Sequence, residues 1–483
     1  MGGSVFKGVA WLSISRITIQ LYNFITTLYI ARVLGPSDYS LAAIGMMVIA
    51  FMEKFSELGF GMAIVQKEEL SDSELHTIYW CTVLTGMLVS ILCYFTAPFM
   101  QLYFAKKGVQ PIIETLSICL CVQSISIVPF KLMERHLKFK KTAVVEMSSK
   151  VTSLTFSILF IYFGFGVWSL VYGQVIRVLT FSILAFVMNP FCPKFTFKFE
   201  KIKETIGFGL SVVGLRFAWY GRNQIDLFLG ARYLSSWDFG YYSFAFQLVR
   251  PFQDIIQGVM STVSVPVLAR SQNSNVFVNE TYLKIISYAM LIACPLFVGG
   301  AILGEQIIFV ALGAKWLPAV PFFKAACLVI LLRLLIAPNE DLLLAIGKLS
   351  ASLKINLAIL TFISVIMMFF MPRGAYAMVY SLVASMLFVY LLWTFLLIRN
   401  RSISLTVYWI NIRGVVQSVL VMAVSVAFFK SILLGADLGY SKMLVGGYAI
   451  VIILVGLVMY MLSVMLFDKT LFARVLASKS RSV

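Results

Sequence analysis

Charged residues are scarce in this chain of 483 residues: Lys, Arg, Asp and Glu make up 12% of it, while 60% of the residues are hydrophobic. A soluble protein carries roughly a quarter charged residues. So little charge cannot cover a globular surface, and lipid must therefore surround most of the chain. Each membrane helix takes about 20 residues, so many spans leave only short loops, which excludes a large soluble catalytic domain.

Signatures of metal, cofactor and nucleotide binding are also missing. The two histidines, His76 and His136, have no Cys or carboxylate ligand pattern beside them, and the seven cysteines show no paired metal-ligand spacing. No GxxxxGK[ST] loop is present to cradle a nucleotide phosphate. We therefore predict no metal, no cofactor, no ATP hydrolysis and no enzymatic activity. Residues 1–10 lack the features of a cleavable signal, so the first span is expected to stay as an anchor.

Long apolar runs dominate the sequence, and they predict an all-α polytopic membrane protein with about 14 transmembrane helices. The runs cover residues 8–33, 40–61, 76–104, 110–130, 143–164, 167–189, 205–231, 239–266, 281–304, 320–345, 353–372, 374–398, 412–434 and 443–467. The longest loops are predicted near 131–142 and 190–204.

Positive charge is concentrated on one side of these runs. The formal net charge is +18, and with the N-terminus inside, 21 Lys and Arg residues fall in inside segments and 7 in outside segments. This bias predicts that both termini are cytoplasmic. Because the basic residues lie in short loops, they indicate membrane topology and anionic lipids as neighbours rather than a nucleic-acid partner.

An internal repeat relates span one to span seven by a shift of 200 residues. Seven of 23 positions agree, and the matched pairs are Arg16/Arg216, Asn23/Asn223, Ile25/Ile225, Ala31/Ala231, Arg32/Arg232, Leu34/Leu234 and Asp38/Asp238. Both copies begin on the cytoplasmic side. The repeat therefore predicts two pseudo-symmetric six-helix lobes, residues 1–200 and 201–400, followed by two extra helices and a tail in 401–483.

Polar side chains recur at helical spacing in span one. They are Ser13, Arg16, Gln20, Asn23 and Thr27. Such a stripe favours the wall of a water-filled cavity, and the alternative is polar contact between helices. Arg16 and Arg216 have no opposite charge within one helical turn, so they are the better candidates for binding an anion.

Spans seven and eight carry further polar candidates. Tyr220 and Asn223 continue the stripe beyond Arg216. Arg222 with Asp226, and Arg250 with Asp254, are each spaced as i,i+4 ion pairs, so a structural pair and a ligand contact both stay open. Glu146 and Lys150 have the same spacing and are expected to be structural.

Span ten contains the sequence Pro338-Asn339-Glu340-Asp341. Proline interrupts the hydrogen bonds of a helix, and the freed carbonyls beside two carboxylates could bind a cation. The alternative is that the span ends here and both acids lie in cytoplasmic water.

Short motifs along residues 5–465 resemble one family. They are Gly8-Val-Ala-Trp11, Ala31-Arg-Val-Leu-Gly35, Asp38-Tyr39, Glu57-Leu-Gly-Phe-Gly61, Val65-Gln66-Lys67, Tyr241-Tyr-Ser243, Gly313-Ala-Lys-Trp316 and Leu343-Leu-Ala-Ile-Gly347. Each motif is weak alone, but their order resembles the polysaccharide transporter family of the multidrug/oligosaccharidyl-lipid/polysaccharide flippase superfamily, closest to Wzx-type flippases of the colanic-acid exporter kind.

The resemblance implies a MATE-like fold and a flippase for undecaprenyl-diphosphate-linked oligosaccharides in a bacterial inner membrane. The product would serve lipopolysaccharide, O-antigen or exopolysaccharide synthesis, with a polymerase and a chain-length regulator as further partners. Alternating access coupled to a cation gradient is a superfamily expectation. The intramembrane acids that could take part are Glu53, Glu57, Asp226, Asp254, Glu340 and Asp341.

We expect the cavity arginines to bind the lipid diphosphate, because guanidinium is a strong planar partner for phosphate. The substrate-binding candidates are Arg16, Gln20, Asn23, Arg216, Tyr220, Arg222, Asn223 and Arg250. A drug or cation antiporter of the same superfamily is the nearest alternative. Its cavity should contain carboxylate side chains that bind cationic drugs, whereas basic side chains predominate here. A membrane polysaccharide polymerase is a weaker alternative, because it would need a sizeable outside loop.

Overall fold

The computed structural model describes residues 18, 20, 22–56, 59–67, 70–196, 217–270, 275–345, 347, 349–401, 403–434 and 441–467. These residues form α-helices joined by short turns, and no strand occurs among them. Two short 3-10 helices, Ala314–Ala319 and Met371–Arg373, precede α12 and α14.

The α-helices follow the predicted apolar runs closely. They are α1 (22–33), α2 (Pro36–Ser56), α3 (Phe60–Gln66), α4 (Asp72–Phe104), α5 (Val109–Arg135), α6 (Phe139–Tyr162), α7 (Trp168–Met188), α8 (217–233), α9 (Ser236–Arg270), α10 (Asn275–Ile302), α11 (Gly304–Leu312), α12 (Val320–Ala345), α13 (Leu349–Phe370), α14 (Ala375–Asn400), α15 (Leu405–Leu434) and α16 (Lys442–Phe467).

Eleven helical stretches in the described part of the chain are long and apolar enough to cross a membrane. The chain is therefore a multi-pass membrane protein. α9 is not among the eleven; it has 35 residues and contains Arg250 and Asp254. The predicted count of fourteen spans stays a prediction.

Packing divides the chain into two compact units, Met1–Gly240 and Tyr241–Val483. In the first unit, α5 is central and contacts α2, α4 and α7, while α6 packs on α7. In the second unit, α10 contacts α12 and α15, α12 contacts α14, and α15 packs on α16. The lobe boundaries predicted at residues 200 and 400 stay predictions.

The 200-residue repeat is visible in the backbone where α1 meets α2 and where α8 meets α9. The Leu34 N–H donates to the Ile30 carbonyl, and the Leu234 N–H donates to the Gly230 carbonyl, both at 2.9 Å. The next helix then starts at Pro36 in one copy and at Ser236 in the other. The two joints are therefore built alike, residue for residue.

One predicted loop is mostly helical. The segment 131–142 was expected as a long connection, but α5 continues to Arg135 and α6 already begins at Phe139. Lys131 and Glu134 form an i,i+3 ion pair of 2.7 Å on the last turn of α5. Polar residues with good helix propensity extend the helix beyond its apolar part, so the end of an apolar run does not mark the end of the helix.

Candidate functional site

The second span of the first unit is interrupted within its length. α2 ends at Ser56 and α3 begins at Phe60, and Gly59 between them has a φ of 72°, in the left-handed region that glycine adopts easily. The Ser56 carbonyl accepts a hydrogen bond of 3.1 Å from the Thr85 hydroxyl of α4. A helix end inside a membrane exposes backbone groups that need partners, and α4 supplies one of them.

Glu53, one turn before this interruption, is bound to α5. The Gln123 amide donates to the Glu53 carboxylate at 2.5 Å. Gln123 lies near the middle of α5, a helix long enough to cross the membrane. Glu53 and the interruption of the span therefore lie near the middle of the membrane, the depth at which transporters hold their substrates.

Arg177 on α7 lies close to the same place. Its Nε donates to the Gln174 side chain at 2.9 Å, and both Arg177 and Glu53 are within electrostatic range of the Cys119 thiol on α5. In the described residues Arg177 and Glu53 form no ion pair within 4.0 Å. We call Glu53, Gln123, Gln174 and Arg177 the mid-lobe polar site.

All four side chains of the mid-lobe polar site are half-buried. An ionised carboxylate or guanidinium is costly at the centre of a bilayer when it faces lipid. These groups keep part of their surface accessible, which favours a wet cavity over lipid as their surroundings. α2, α5 and α7 therefore give the first unit a polar face.

α8 adds aromatic and charged residues to the first unit. The Tyr220 hydroxyl donates to the Met47 carbonyl at 3.4 Å, and the ring of Phe51 lies 5.6 Å from that of Phe217. The predicted candidates Arg222 and Asp226 are both buried. Asn223 is half-buried and donates to the Trp219 carbonyl of its own helix at 2.9 Å.

The polar stripe of span one is divided between two environments. Gln20 and Asn23 are half-buried, whereas Thr27 is buried. The Tyr22 hydroxyl lies 3.1 Å from the Thr155 hydroxyl of α6. The stripe around Thr27 therefore packs inside the first unit, whereas Gln20 and Asn23 keep accessible surface.

The candidates on α9 are more accessible than those on α8. Arg250 is half-buried and Asp254 is exposed. Gln253 and Gln257, on the same stretch of helix, are linked by a hydrogen bond of 3.4 Å. This stretch of α9 is therefore polar over several turns.

The acids of span ten lie inside the second unit and not in a loop. α12 continues past Pro338 to Ala345, and Asn339, Glu340 and Asp341 are all buried. Of the two alternatives for this sequence, the ending of the helix is thus excluded. Asp341 accepts a hydrogen bond of 2.5 Å from the Ser264 hydroxyl of α9.

Asn339 is part of a hydrogen-bonded chain that joins three helices of the second unit. The Tyr282 hydroxyl of α10 donates to the Asn339 side-chain oxygen at 2.6 Å, and the Asn339 amide lies 3.4 Å from the Thr394 hydroxyl of α14. This chain and the neighbouring acids form a compact buried polar region. No group of three or more His, Cys, Asp or Glu residues that could hold a metal ion occurs in the described residues.

Three of the predicted site residues lie outside the described residues: Arg16, Arg216 and Glu57. The predicted structural pair of Glu146 and Lys150 makes no ion pair within 4.0 Å in the described part of α6. An i,i+4 ion pair is present on α10, where Lys284 lies 3.8 Å from Glu280.

The amide partners in the mid-lobe polar site were not predicted. The predicted polar residues follow the stripes of spans one, seven and eight, whereas Gln123 and Gln174 lie in the apolar runs 110–130 and 167–189. An amide within a membrane span needs a hydrogen-bonding partner, and this requirement is the signal that would have found them.

A family model described as "Polysaccharide biosynthesis protein" matches residues 29–321, more than half of the chain. The chain belongs to the polysaccharide biosynthesis protein family. The predicted resemblance to polysaccharide transporters is thereby confirmed.

Named relatives of this family member are found in bacteria. The teichuronic acid biosynthesis protein TuaB of Bacillus subtilis is 24% identical over 71% of this chain and 72% of its own. The lipopolysaccharide biosynthesis protein WzxC of Escherichia coli is 22% identical over 72% of each chain.

A solved structure of the lipid II flippase MurJ, in an inward closed conformation, matches with a TM-score of 0.73 at 15% identity. The match covers 96% of this chain and 100% of that one. The likeness confirms the predicted fold class, an all-α polytopic membrane protein, although it does not fix the number of spans.

Proposed function

We propose that this member of the polysaccharide biosynthesis protein family is a flippase. It moves undecaprenyl-diphosphate-linked oligosaccharide units across the bacterial inner membrane, with both termini in the cytoplasm. The flipped units supply lipopolysaccharide, O-antigen or exopolysaccharide synthesis, where a polymerase and a chain-length regulator would act on them next. The protein itself transports and makes or breaks no covalent bond.

The observation that carries the proposal is the mid-lobe polar site in a chain of this family. Glu53 and Arg177 keep accessible surface near the middle of the membrane, where only an aqueous path makes that tolerable. A translocated headgroup that is rich in hydroxyls and phosphates needs such a path. The relatives named for teichuronic acid and lipopolysaccharide biosynthesis support a polysaccharide precursor as the cargo.

Arginines are the proposed ligands of the diphosphate. Arg16 and Arg216 are the first candidates, with Arg222 and Arg250 as additional ones, because each can hold phosphate oxygens with two parallel hydrogen bonds. Gln20, Asn23, Tyr220 and Asn223 would supply neutral contacts along the same path.

Transport by alternating access is proposed to be coupled to a cation. Asp341 and Glu340 are the acids best placed for this role in the second unit, since both are buried and Asp341 is already hydrogen-bonded to Ser264. A buried carboxylate exchanges its proton or binds a cation when access to it changes. Glu53, Glu57, Asp226 and Asp254 stay secondary candidates.

Deletion of the gene in its own host tests the proposed function. We expect loss of the surface polymer and accumulation of lipid-linked repeat units, measured by mass spectrometry, with unchanged resistance to cationic drugs. Normal polymer together with increased drug sensitivity would favour the drug or cation antiporter instead. Complementation with Arg16→Ala/Arg216→Ala, at normal protein level, should leave polymer synthesis defective; full polymer yield would remove these arginines from the site.

A further inference from the structure

We propose that the mid-lobe polar site is a sugar-binding subsite that recognises hydroxyl groups of the translocated oligosaccharide. The inference rests on the proposed flippase function and assigns a part of the substrate to residues that are distinct from the diphosphate-binding arginines. It arises from the way in which Glu53, Gln123, Gln174 and Arg177 are paired.

The pairing leaves hydrogen-bonding capacity open at both ends of the site. Glu53 accepts from Gln123, and the Arg177 Nε donates to Gln174. Within the described residues the Nη groups of Arg177 and the second carboxylate oxygen of Glu53 have no hydrogen-bond partner. Each charged group is therefore held in place by an amide while its remaining donors or acceptors are available.

Glu53 and Arg177 both lie within electrostatic range of Cys119 but form no ion pair with each other in the described residues, so a ligand that engages them has to suit both. Ionised carboxylate only accepts hydrogen bonds and guanidinium only donates them. A hydroxyl group does both, so neighbouring hydroxyls of one ligand can donate to Glu53 and accept from Arg177. Neighbouring hydroxyls on a sugar ring present this combination repeatedly, so a polyol fits the site.

Other ligands fit this set less well. A phosphate would be repelled by the carboxylate of Glu53, and a drug cation would be repelled by the guanidinium of Arg177. A purely structural contact between helices would be expected to bring the two charges together, because a direct pair satisfies both. The Lys131–Glu134 pair of 2.7 Å at the end of α5 is an example of such a contact.

Binding measurements on the full-length protein in lipid nanodiscs test the subsite. The probes are undecaprenyl diphosphate and its glucosyl, galactosyl and N-acetylglucosaminyl derivatives. We expect the wild type to bind at least one sugar-bearing lipid more tightly than the bare lipid. Glu53→Gln and Arg177→Gln should each remove about ten- to a hundredfold of affinity for that lipid, the cost of one charge-assisted hydrogen bond, and leave the bare lipid unchanged.

A matched control lies on α5 itself. Glu114 accepts a hydrogen bond of 2.8 Å from Gln110, in a pair of the same types as Glu53 and Gln123 but near the start of the helix rather than at its middle. Glu114→Gln should change neither affinity. Arg177→Lys keeps the charge, should fold normally, and should give a smaller loss confined to sugar-bearing lipids.

The outcomes separate this inference from the proposed function. Equal affinity of the wild type for bare and sugar-bearing lipids, or variants that weaken both kinds alike, would overturn the sugar subsite and leave the flippase standing. Failure of the wild type to bind any of the four lipids would instead contradict the proposed function itself. A lowered melting temperature of the variants without a change in affinity would identify the site as structural and would also overturn the subsite.

Discussion

Arg222 and Asp226 illustrate what a single charged residue costs inside a membrane bundle. They lie one helical turn apart on α8, and 7% of Arg222 and none of Asp226 is exposed. A buried charge is tolerated when an opposite charge and hydrogen bonds compensate it, and removing one partner is much more costly than removing both. Their burial favours the structural alternative for this pair over direct contact with a ligand.

Arg222→Ala is therefore expected to impair folding more than transport. Leaving the Asp226 carboxylate in this buried position should cost about 3–5 kcal/mol, and the amount of protein inserted in the membrane should fall. The double variant Arg222→Gln/Asp226→Asn has no charge to compensate and should restore the protein level. Quantitative blots of membrane fractions measure both; a double variant as poorly inserted as Arg222→Ala would contradict this account.

The second span is an element in which the two repeat copies differ. α2 stops at Ser56 and the chain resumes as α3, whereas the equivalent stretch of the other copy is the uninterrupted helix α9, Ser236–Arg270. The Thr85 hydroxyl of α4 lies 3.1 Å from the Ser56 carbonyl and 2.8 Å from the Cys81 carbonyl of its own helix. The repeated sequence thus gives a discontinuous helix only in the copy that carries the mid-lobe polar site.

Thr85→Val tests whether this hydrogen bond supports the interruption. It preserves the size and branching of the side chain but removes the hydroxyl that links α4 to Ser56, so the free energy of unfolding should fall by about 1 kcal/mol. Thr96→Val is the matched control on α4, because the Thr96 hydroxyl donates only to Leu92 and Cys93 of its own helix. Thermal unfolding of the two purified variants should separate them, and equal melting temperatures would contradict the role of Thr85.

The starts of α2 and α9 touch backbone to backbone within the first unit. A Cβ atom on Gly240 would overlap the carbonyl group of Pro36. Nearby, Lys106 donates to the Leu234 carbonyl at 2.8 Å, just after α8 ends. Burial, together with the neighbouring Arg232, holds the pKa of Lys106 below its ordinary value. A tight contact and a buried donor therefore fix this joint.

Gly240→Ala should separate the two helix starts, since the obstacle is backbone and cannot rotate away. Overpacking of this kind costs about 1–3 kcal/mol, so the melting temperature of the variant should fall. Gly447→Ala in α16 is the control, because an added Cβ there meets no heavy atom within 4 Å in the described residues. It should be neutral or slightly stabilising through better helix propensity. A Gly240→Ala variant as stable as the wild type would show that the contact is loose.

Helices of this protein follow from its sequence far better than their interruptions do. The run predicted at 320–345 coincides with α12, Val320–Ala345, because apolar length sets the span even across Pro338. The interruption at Gly59 was missed, since Glu57-Leu-Gly-Phe-Gly61 fits within a continuous apolar run and only the backbone angle distinguishes it. The mid-lobe polar site was half visible: its charges stand out in an apolar sequence, but their amide partners come from other helices.

For the whole molecule, the distribution of charge and the order of the helices must agree on one topology. Helices α4 to α7 alternate direction with short connections: α5 and α6 are joined by residues 136–138, and α6 and α7 by residues 163–167. If the N-terminus is cytoplasmic, the connection after α5 is cytoplasmic as well, and it carries Lys138. The 3-10 helix Ala314–Ala319, which contains Lys315, then lies outside.

Reporter fusions should therefore give cytoplasmic signals at Lys138 and Lys198 and a periplasmic signal at Lys315. Lys138 and Lys198 are separated by α6 and α7, two crossings that return the chain to the same side, and basic residues favour that side as the cytoplasm. Alkaline phosphatase and green fluorescent protein fusions at each position give opposite readouts and control for expression. A periplasmic signal at Lys198 would break the even count of spans, and the second repeat would then begin on the opposite side of the membrane. The repeat would be inverted, and the parallel two-lobe arrangement on which the proposed binding of the diphosphate by Arg16 and Arg216 depends would be wrong.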